Sequence, residues 1–181
     1  THNFRWPTPP YALCPADIEQ TEAQDCEITA IGGRRVAGKM TFFLPEQDAL
    51  EFQLPRATTT QTIYLGEILT LRLTRPVSVT RENSAALDPA LIPAPSWQPF
   101  LVELHNGSVL EGKTLGHVTE SFGTFLFPSA GEGDTLTIER LFVPCAALKN
   151  LSIGGYLGQM LVDHNIVDAE QIDLALAEQE A

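Results

Sequence analysis

Basic residues are scarce in this chain of 181 residues, which has 11 Lys and Arg against 23 Asp and Glu. The formal net charge is therefore −12. A nucleic-acid surface needs cations that neutralise phosphates, so this balance argues against DNA or RNA as a partner. Four arginines are still close enough in sequence to form a local basic patch: Arg34, Arg35, Arg72 and Arg75.

Cysteine and histidine are also rare. Cys14, Cys26 and Cys145 are odd in number, widely spaced and outside any CxxC pair, which argues against a disulfide framework or a zinc site. The four histidines are scattered, and no Ser, Cys or carboxylate lies in a recognisable nucleophile setting. We therefore predict no catalytic residue, no metal site and no enzyme activity for this chain.

Long apolar runs are absent, and no charged-then-apolar leader precedes the chain's first strands. The chain begins at Thr1 and ends at Ala181, two residues after a helical motif, so we interpret it as a piece of a longer protein. We expect a soluble, intracellular segment that is not itself inserted in a membrane.

Strand periodicity dominates the sequence between residues 24 and 150, where Pro, Gly, Asn and Thr punctuate short β-rich runs. The clearest hairpin signal is Asn106-Gly107, the favoured pair for a type I′ turn. The predicted strands are Ala49–Leu54, Thr62–Leu73, Phe100–Leu104, Thr124–Phe127 and Leu136–Val143.

Several landmarks of this region recur about 74 residues later. A nearly constant offset indicates a duplicated small β-sheet or barrel module, in which Phe52 and Phe125 would occupy equivalent buried positions. Unrelated β segments often share such residues, so chance recurrence stays open. The pairs are Gly38-Lys39 with Gly112-Lys113, Phe52–Pro55 with Phe125–Pro128, Ile63 with Ile138, and Ile68 with Val143.

The predicted fold class is α+β, with a mainly β N-terminal region followed by a short helical hairpin. Residues 80–99 carry four prolines and no strand pattern, which is typical of a linker or surface loop. In the first segment, Phe4, Trp6 and Tyr11 give an extended arm something to bury. The predicted segments are an arm (1–23), β module 1 (24–79), the linker (80–99), β module 2 (100–150) and a helical half-domain (151–181).

The last segment contains the most informative run of the chain, YLGQMLVDHNIVDAEQIDLALAEQ, at residues 156–179. A short apolar helix is predicted after Leu157 and Gly158, and Asp163-His164-Asn165 ends it. Asp168 is placed as an N-cap of a second helix, with Gln171 three positions on as its reciprocal partner. The apolar positions of that helix recur at helical spacing, so the run predicts a compact helical pair.

This run resembles the repeat unit of the MshEN domain, found at the N-termini of type II secretion and type IV pilus assembly ATPases. The family's 24-residue element, RLGxxLxxxGxxxxxxLxxxLxxQ, occurs twice in tandem, and the pair binds cyclic di-GMP. The match is ungapped over one unit. The residues that fall on the pattern are Leu157, Gly158, Leu161, Ile172, Leu176 and Gln179.

Two residues depart from the family pattern. Tyr156 stands where the family usually has Arg, and it offers stacking and one hydroxyl instead of a planar cation. Asn165 stands where the family usually has Gly, and Asn tolerates a left-handed backbone. The ligand residues that the resemblance implies, if cyclic di-GMP binding is retained, are Tyr156, Leu157, Gly158, Leu161, Asn165 and Gln179.

The resemblance implies a regulatory and docking segment of a secretion or pilus assembly ATPase. Its partners would be the rest of the ATPase and an inner-membrane platform or cytoplasmic ring protein. Cyclic di-GMP is the only small ligand implied, and the alternative hypothesis is a cyclic di-GMP sensor in its own right.

Two further motifs are interpreted as coincidences. Residues 107–114, GSVLEGKT, satisfy the Walker A pattern, but the context predicts a hairpin turn followed by a strand instead of a strand-to-helix loop. Residues 150–155, NLSIGG, fit half of the PilZ signature without the RxxxR pair that would clamp phosphate. We expect Ser152 and the following glycines to join the β region to the helices.

Overall fold

The computed structural model describes residues 4–15, 23–81, 95–131 and 136–154. Across these residues the predicted predominance of β structure is confirmed, and the predicted helical pair lies outside them. The strands are β1 (Ala12–Leu13), β2 (Gln24–Ala30), β3 (Arg35–Leu44), β4 (Ala49–Gln53), β5 (Gln61–Tyr64), β6 (Ile68–Ser78), β7 (Thr80–Arg81), β8 (Gln98–Leu104), β9 (Val109–Glu120), β10 (Gly123–Pro128), β11 (Thr137–Pro144) and β12 (Leu148–Ile153). Short 3₁₀ turns at Pro45–Gln47 and Leu65–Glu67 separate β3 from β4 and β5 from β6.

Ten of these strands form one antiparallel sheet in the order β12-β8-β9-β10-β11-β6-β2-β3-β4-β5. The order divides into two groups of five. Unit A contains β2 to β6 and unit B contains β8 to β12. In each unit the spatial order is fifth, first, second, third and fourth strand, counted along the chain. The strand order is therefore the same in both units.

Each unit must curl strongly, because its fourth and fifth strands lie at opposite ends of the order yet are joined by three residues. The connection is Leu65–Glu67 in unit A and residues 145–147 in unit B. The far end of the fourth strand is thereby brought back to the start of the fifth. The units are therefore small open barrels, and they join where β11 of unit B pairs with β6 of unit A.

The strand registers show that the two units are equivalent position by position. Cys26 pairs with Leu73 in unit A, and Phe100 pairs with Ile153 in unit B. The first strands are thus related by an offset of 74 residues and the fifth strands by one of 80. The same register shift interrupts both ladders near the start of the fifth strand.

The turn between the first two strands is built alike in both units. Gly33 and Gly107 both have a positive φ, 82° and 85°, which only glycine adopts without strain. The amide of Ile31 donates to Glu67 O at 3.1 Å, and the amide of His105 donates to Ala147 O at 3.0 Å. In each unit the first turn is thus tied to the turn before the fifth strand.

The recurrence seen in the sequence is therefore a structural one, but three of its landmark pairs are wrong in detail. Phe52 lies opposite Met40, whose counterpart Thr114 lies opposite Pro128, so Phe52 corresponds to Pro128; by the same register Phe125 corresponds to Ala49. Longer connections change the offset along the chain, so that Ile63 corresponds to Leu141. Ile68 in turn corresponds to Leu148, not to Val143. The Gly38-Lys39 pair does correspond to Gly112-Lys113.

Four further predictions need correction. The run Thr62–Leu73 is two strands, because the turn at Leu65–Glu67 divides it. The turn at Asn106-Gly107 is not type I′, since only Gly107 has a positive φ, and Gly107 N donates to Leu104 O as in a type I turn followed by a bulge. Residues 151–153 belong to β12 and not to a helical segment, and the interval 80–99 contains β7 and the first residues of β8.

The inward faces of the strands form the core. In unit A the fully buried side chains include Leu50, Phe52 and Leu71, and in unit B they include Val102 and Leu126. Two hydrophobic clusters result, one centred on unit A and the joint, the other on unit B.

The arm expected to bury aromatic residues does so through Phe4 and Trp6. Trp6 is 4% exposed and packs against Phe43 and Phe125 at ring-centroid distances of 5.4 and 5.0 Å. Tyr11, in contrast, is about half exposed. The arm continues into β1, which pairs with β7 in a separate two-stranded sheet.

Among the residues described above, no helix is both long and apolar enough to cross a bilayer.

Candidate functional site

The residues predicted to hold cyclic di-GMP lie outside the described part of the chain. These are Tyr156, Leu157, Gly158, Leu161, Asn165 and Gln179. That site, and the family resemblance on which it depends, therefore remain predictions.

The Walker-like run lies in a hairpin, as expected. Gly107 belongs to the turn between β8 and β9, and residues 109–114 are strand residues of β9. Lys113 is exposed and faces Pro99 across the ladder. No helix follows this run, because β9 continues to Glu120. The run therefore lacks the amides and helix dipole that cradle phosphate in a P-loop.

Residues of the PilZ-like run and of the predicted arginine patch lie in strands of the sheet. Asn150 and Ser152 pair with Glu103 and Leu101 of β8, so Ser152 is a strand residue and not part of a joint. Arg72 forms an ion pair with Glu139 across the joint between the units. Because Arg72 has a carboxylate partner, the four arginines do not form the uncompensated patch that the sequence suggested.

Three of the remaining candidate features, an aromatic cluster, a buried arginine and a cavity, lie at the joint between the units. Its strands, β6 and β11, pair from Thr137–Ser78 to Phe142–Leu71. On the outer face of β11 lies an aromatic cluster, whose Phe125 and Phe142 rings are 4.9 Å apart. The aromatic residues in mutual contact are Phe4, Trp6, Phe43, Phe122, Phe125 and Phe142.

A buried arginine lies beside this cluster. Arg140 is 2% exposed, its Nη2 donates to Gln24 Oε1 at 3.3 Å, and its Nε has no hydrogen-bond partner. Burial lowers the pKa of Arg140, while the neighbouring Cys14 acts in the opposite direction. Burial also raises the pKa of the Cys14 thiol, an effect that the charges of Arg140 and Arg5 oppose.

A small cavity of about 190 Å³ opens at one end of the joint, between equivalent turns of the two units. Its walls include Ile31 and Gly66 from unit A and their counterparts His105 and Ala146 from unit B. Ile31 is 54% exposed at the rim. Ligand pockets for small molecules usually measure about 300–1,000 Å³, so this cavity suits one apolar side chain of a partner better than a cyclic dinucleotide.

A larger groove, of about 620 Å³, crosses unit A beside the connection from β4 to β5. Its polar walls include Asp25 and Glu27 as well as Lys39 and Arg56. The two carboxylates oppose the approach of a phosphate, since like charges repel. The groove therefore has no preference for an anionic ligand.

Metal chemistry has no candidate within the described ranges, where no three His, Cys, Asp or Glu side chains converge. Sequence reasoning missed the cavity at the joint and the buried Arg140. No sequence landmark marks the cavity, because its walls come from turns of two different units. Nothing in the sequence distinguished Arg140 from an exposed strand arginine.

Comparisons of the chain with models of protein families, with curated proteins and with solved structures find no match.

Proposed function

We propose that this chain is a non-catalytic docking segment of a secretion or pilus assembly ATPase. In this proposal the two β units hold the motor to an inner-membrane platform or cytoplasmic ring protein. The observation that carries the docking role is the cavity shared by equivalent turns of the two units, with Ile31 exposed at its rim.

The association with a motor ATPase rests on the ungapped resemblance of residues 156–179 to the MshEN repeat unit. This run follows closely after β12, so a docking surface on the β units would be connected to the motor by a short stretch of chain. A change in the helical segment would then alter how the anchor is held relative to the motor.

The rigid connection between the units supports a mechanical role. Ten strands share one sheet, and the aromatic cluster packs against both units and the arm. A load applied at the cavity would be carried by the backbone hydrogen bonds of the joint and by buried rings, whose packing resists deformation.

The chemistry of the buried Cys26 thiol and the partly buried Cys14 thiol supports a non-catalytic role. Burial raises the pKa of the Cys26 thiol to about 12, so the nucleophilic thiolate is scarce at neutral pH. Burial raises the pKa of Cys14 as well. Both thiols are suited to packing better than to covalent catalysis.

The cavity also indicates the chemistry of the partner surface. Arg34 and Arg35 are exposed on the turn that carries Ile31. A partner that inserts one Leu, Ile or Met side chain into the cavity and has acidic residues beside it would match both features.

The test is a binding titration of the 181-residue chain with the purified cytoplasmic domains of the platform and ring proteins of secretion and pilus machines. We expect saturable binding to one of them. Ile31→Asp should raise the Kd about tenfold or more, because a truncated central apolar contact typically costs more than about 1.4 kcal/mol.

Leu54→Asp is the matched control, since Leu54 is an exposed apolar residue of the groove in unit A, away from the cavity. It should leave the Kd unchanged. Equal binding by the Ile31 variant would place the docking surface elsewhere. ATP hydrolysis that disappears in Lys113→Ala would overturn the non-catalytic assignment.

A further inference from the structure

The two ends of the ten-stranded sheet are related to the joint at its centre. Within the described residues, β5 and β12 each have a neighbouring strand on one side only. The position of β5 in unit A is that of β11 in unit B, and the position of β12 in unit B is that of β6 in unit A. The two end strands are therefore the counterparts of the two strands that form the joint.

The joint consequently provides a template for what the end strands can bind. We propose that a second copy of this chain completes the sheet, with β5 of one copy pairing antiparallel with β12 of the next. This inference rests on the strand equivalence alone and is independent of the docking role.

Burial supports this assignment. In the joint, Leu141 of β11 is 1% exposed and Leu71 of β6 is fully buried. Their counterparts at the sheet ends, Ile63 and Leu151, are both only half buried. Strands in equivalent positions thus leave apolar surface uncovered where the partner strand is missing.

The chemistry of the end strands permits such pairing. Natural sheets usually protect their edges with charged residues or proline, which hinder the addition of another strand. The β5 sequence, Gln-Thr-Ile-Tyr, contains neither a charge nor a proline, and β12 contains one charge, Lys149. Tyr64 on β5 is 54% exposed and would be covered by the added strand.

The joint also fixes the register that the new contact should have. Phe142 pairs with Leu71, and Leu141 pairs with Arg72. Transferred to the counterpart strands, this register places Tyr64 opposite Leu151 and Ile63 opposite Ser152. The contact uses a different surface on each copy, so it is heterologous and generates a ring if the rotation closes and a filament if it does not.

The first experiment measures the mass of the full chain by sedimentation velocity up to about 100 µM, a concentration that reveals weak association. We expect the average mass to rise with concentration. A chain that remains monomeric over this range would overturn the proposal.

Proline variants block one end at a time. Successive backbone N–H groups of a strand point to opposite sides, so only one of Gln61 and Thr62 directs its N–H away from β4. Both Gln61→Pro and Thr62→Pro are therefore made, and one of them removes only an N–H at the open edge. Thermal unfolding identifies that variant as the one that keeps its fold. Leu151→Pro and Ser152→Pro serve in the same way for β12.

Each fold-retaining variant should remain monomeric alone, because one of its two end strands is blocked. A mixture of the β5-blocked and β12-blocked variants should form a one-to-one dimer and nothing larger, since each supplies the one open end that the other lacks. Homodimers of either variant alone would overturn the head-to-tail arrangement.

A disulfide tests the register. Tyr64→Cys in one copy and Leu151→Cys in another, both with Cys145→Ser, should cross-link on oxidation, because directly opposed strand residues lie within disulfide range. The control replaces Tyr64→Cys by Thr59→Cys, which lies before β5 and should not cross-link with the Leu151 position. Equal cross-linking of the control would show that the strands do not pair in this register.

Discussion

The outer face of the third and fourth strands is mainly polar in unit A, with Glu51, Gln53 and Thr62, and aromatic in unit B, with Phe125, Phe127 and Phe142. The counterparts of these three phenylalanines in unit A are Ala49, Glu51 and Tyr64. The inner faces, in contrast, are apolar in both units. Two units with the same strand order and registers therefore differ in which face is covered. The inward residues specify the open barrel, while the outward residues decide whether anything packs on top of it.

The aromatic face of unit B is covered by the arm and by Phe43 of unit A, which places the two units against each other. The polar face of unit A has no such cluster within the described residues. A tandem of two similar barrels thus acquires a definite arrangement because only one of them has a second apolar face.

The largest effect is expected when a ring is removed from the aromatic face of unit B. Phe125 is fully buried and contacts the rings of Phe4, Trp6 and Phe142. Phe125→Ala should lower the free energy of unfolding by about 3–5 kcal/mol, measured by urea denaturation. Glu51→Ala, on the corresponding face of unit A, should change it by less than about 1 kcal/mol. Similar losses in both variants would show that the aromatic face does not distinguish the units.

Equivalent glycines provide the second test. A Cβ at Gly38 would overlap the Phe52 ring and lie 2.5 Å from the backbone oxygen of Gln53, which cannot move aside. Gly38→Ala should therefore cost about 1–3 kcal/mol in urea denaturation. A Cβ at Gly112 would meet only the Phe100 ring, at 3.2 Å, which has room to adjust. Gly112→Ala should then cost less than about 1 kcal/mol.

If Gly112→Ala instead proved the more damaging of the two, the close approach in unit A would not be the reason for its glycine. The two variants thus show whether glycine is needed at this position in both units or only in unit A.

The repeated glycine also explains how much of the fold the sequence could predict. Gly38 is a visible landmark because the backbone oxygen of Gln53 excludes a side chain there, and its recurrence as Gly112 made the offset of 74 between the first strands accessible. The later offset of 80 was not, because it arises in small steps along the connections after the second strand, whose residues carry no fixed requirement.

The strands β2 and β3 illustrate a second limit. Their sequences contain charged and small residues, as in Arg35–Met40, and no clean alternation marks them as strands. Tertiary pairing on both sides supplies what the local pattern lacks. The candidate cavity was inaccessible for a similar reason, since it forms only when two turns from different units meet.

The first-strand residue opposite each of these glycines gives a third comparison, in which one member titrates and the other cannot. Cys26 of unit A corresponds to Phe100 of unit B. Burial raises the pKa of Cys26 to about 12, whereas an unfolded thiol titrates at about 8.5. Between these values the unfolded chain loses a proton that the folded chain retains, so stability falls as pH rises.

The slope should reach about 1.4 kcal/mol per pH unit between roughly pH 9 and 12. Urea denaturation of the chain and of Cys26→Ala at pH 8, 9 and 10 measures this slope. The free energy of unfolding of the variant should fall less steeply with pH, because the variant has no thiol at position 26. Its lower stability at pH 8 does not matter, because only the slopes are compared. Parallel slopes would mean that Cys26 ionises in the folded chain as it does in the unfolded one.

The smallest expected effect concerns the joint and its unpaired counterpart. Arg72 and Glu139 form an ion pair across the joint, with side chains 36% and 26% exposed. The counterparts of these residues are Ser152 on β12 and Gln61 on β5, so the sheet ends have no such pair. A partly exposed ion pair contributes only about 0.2–1 kcal/mol, because water screens it. A double-mutant cycle with Arg72→Gln and Glu139→Gln should give a coupling energy in this range, and it should largely vanish in about 1 M salt, where the Debye length is about 3 Å.

Phe142 and Leu71 pair in the same ladder and are fully buried, so apolar burial should hold the joint together without the charges. A coupling energy well above 1 kcal/mol that survives high salt would instead make the ion pair the main determinant of the joint, and the uncharged sheet ends would then be poor mimics of it.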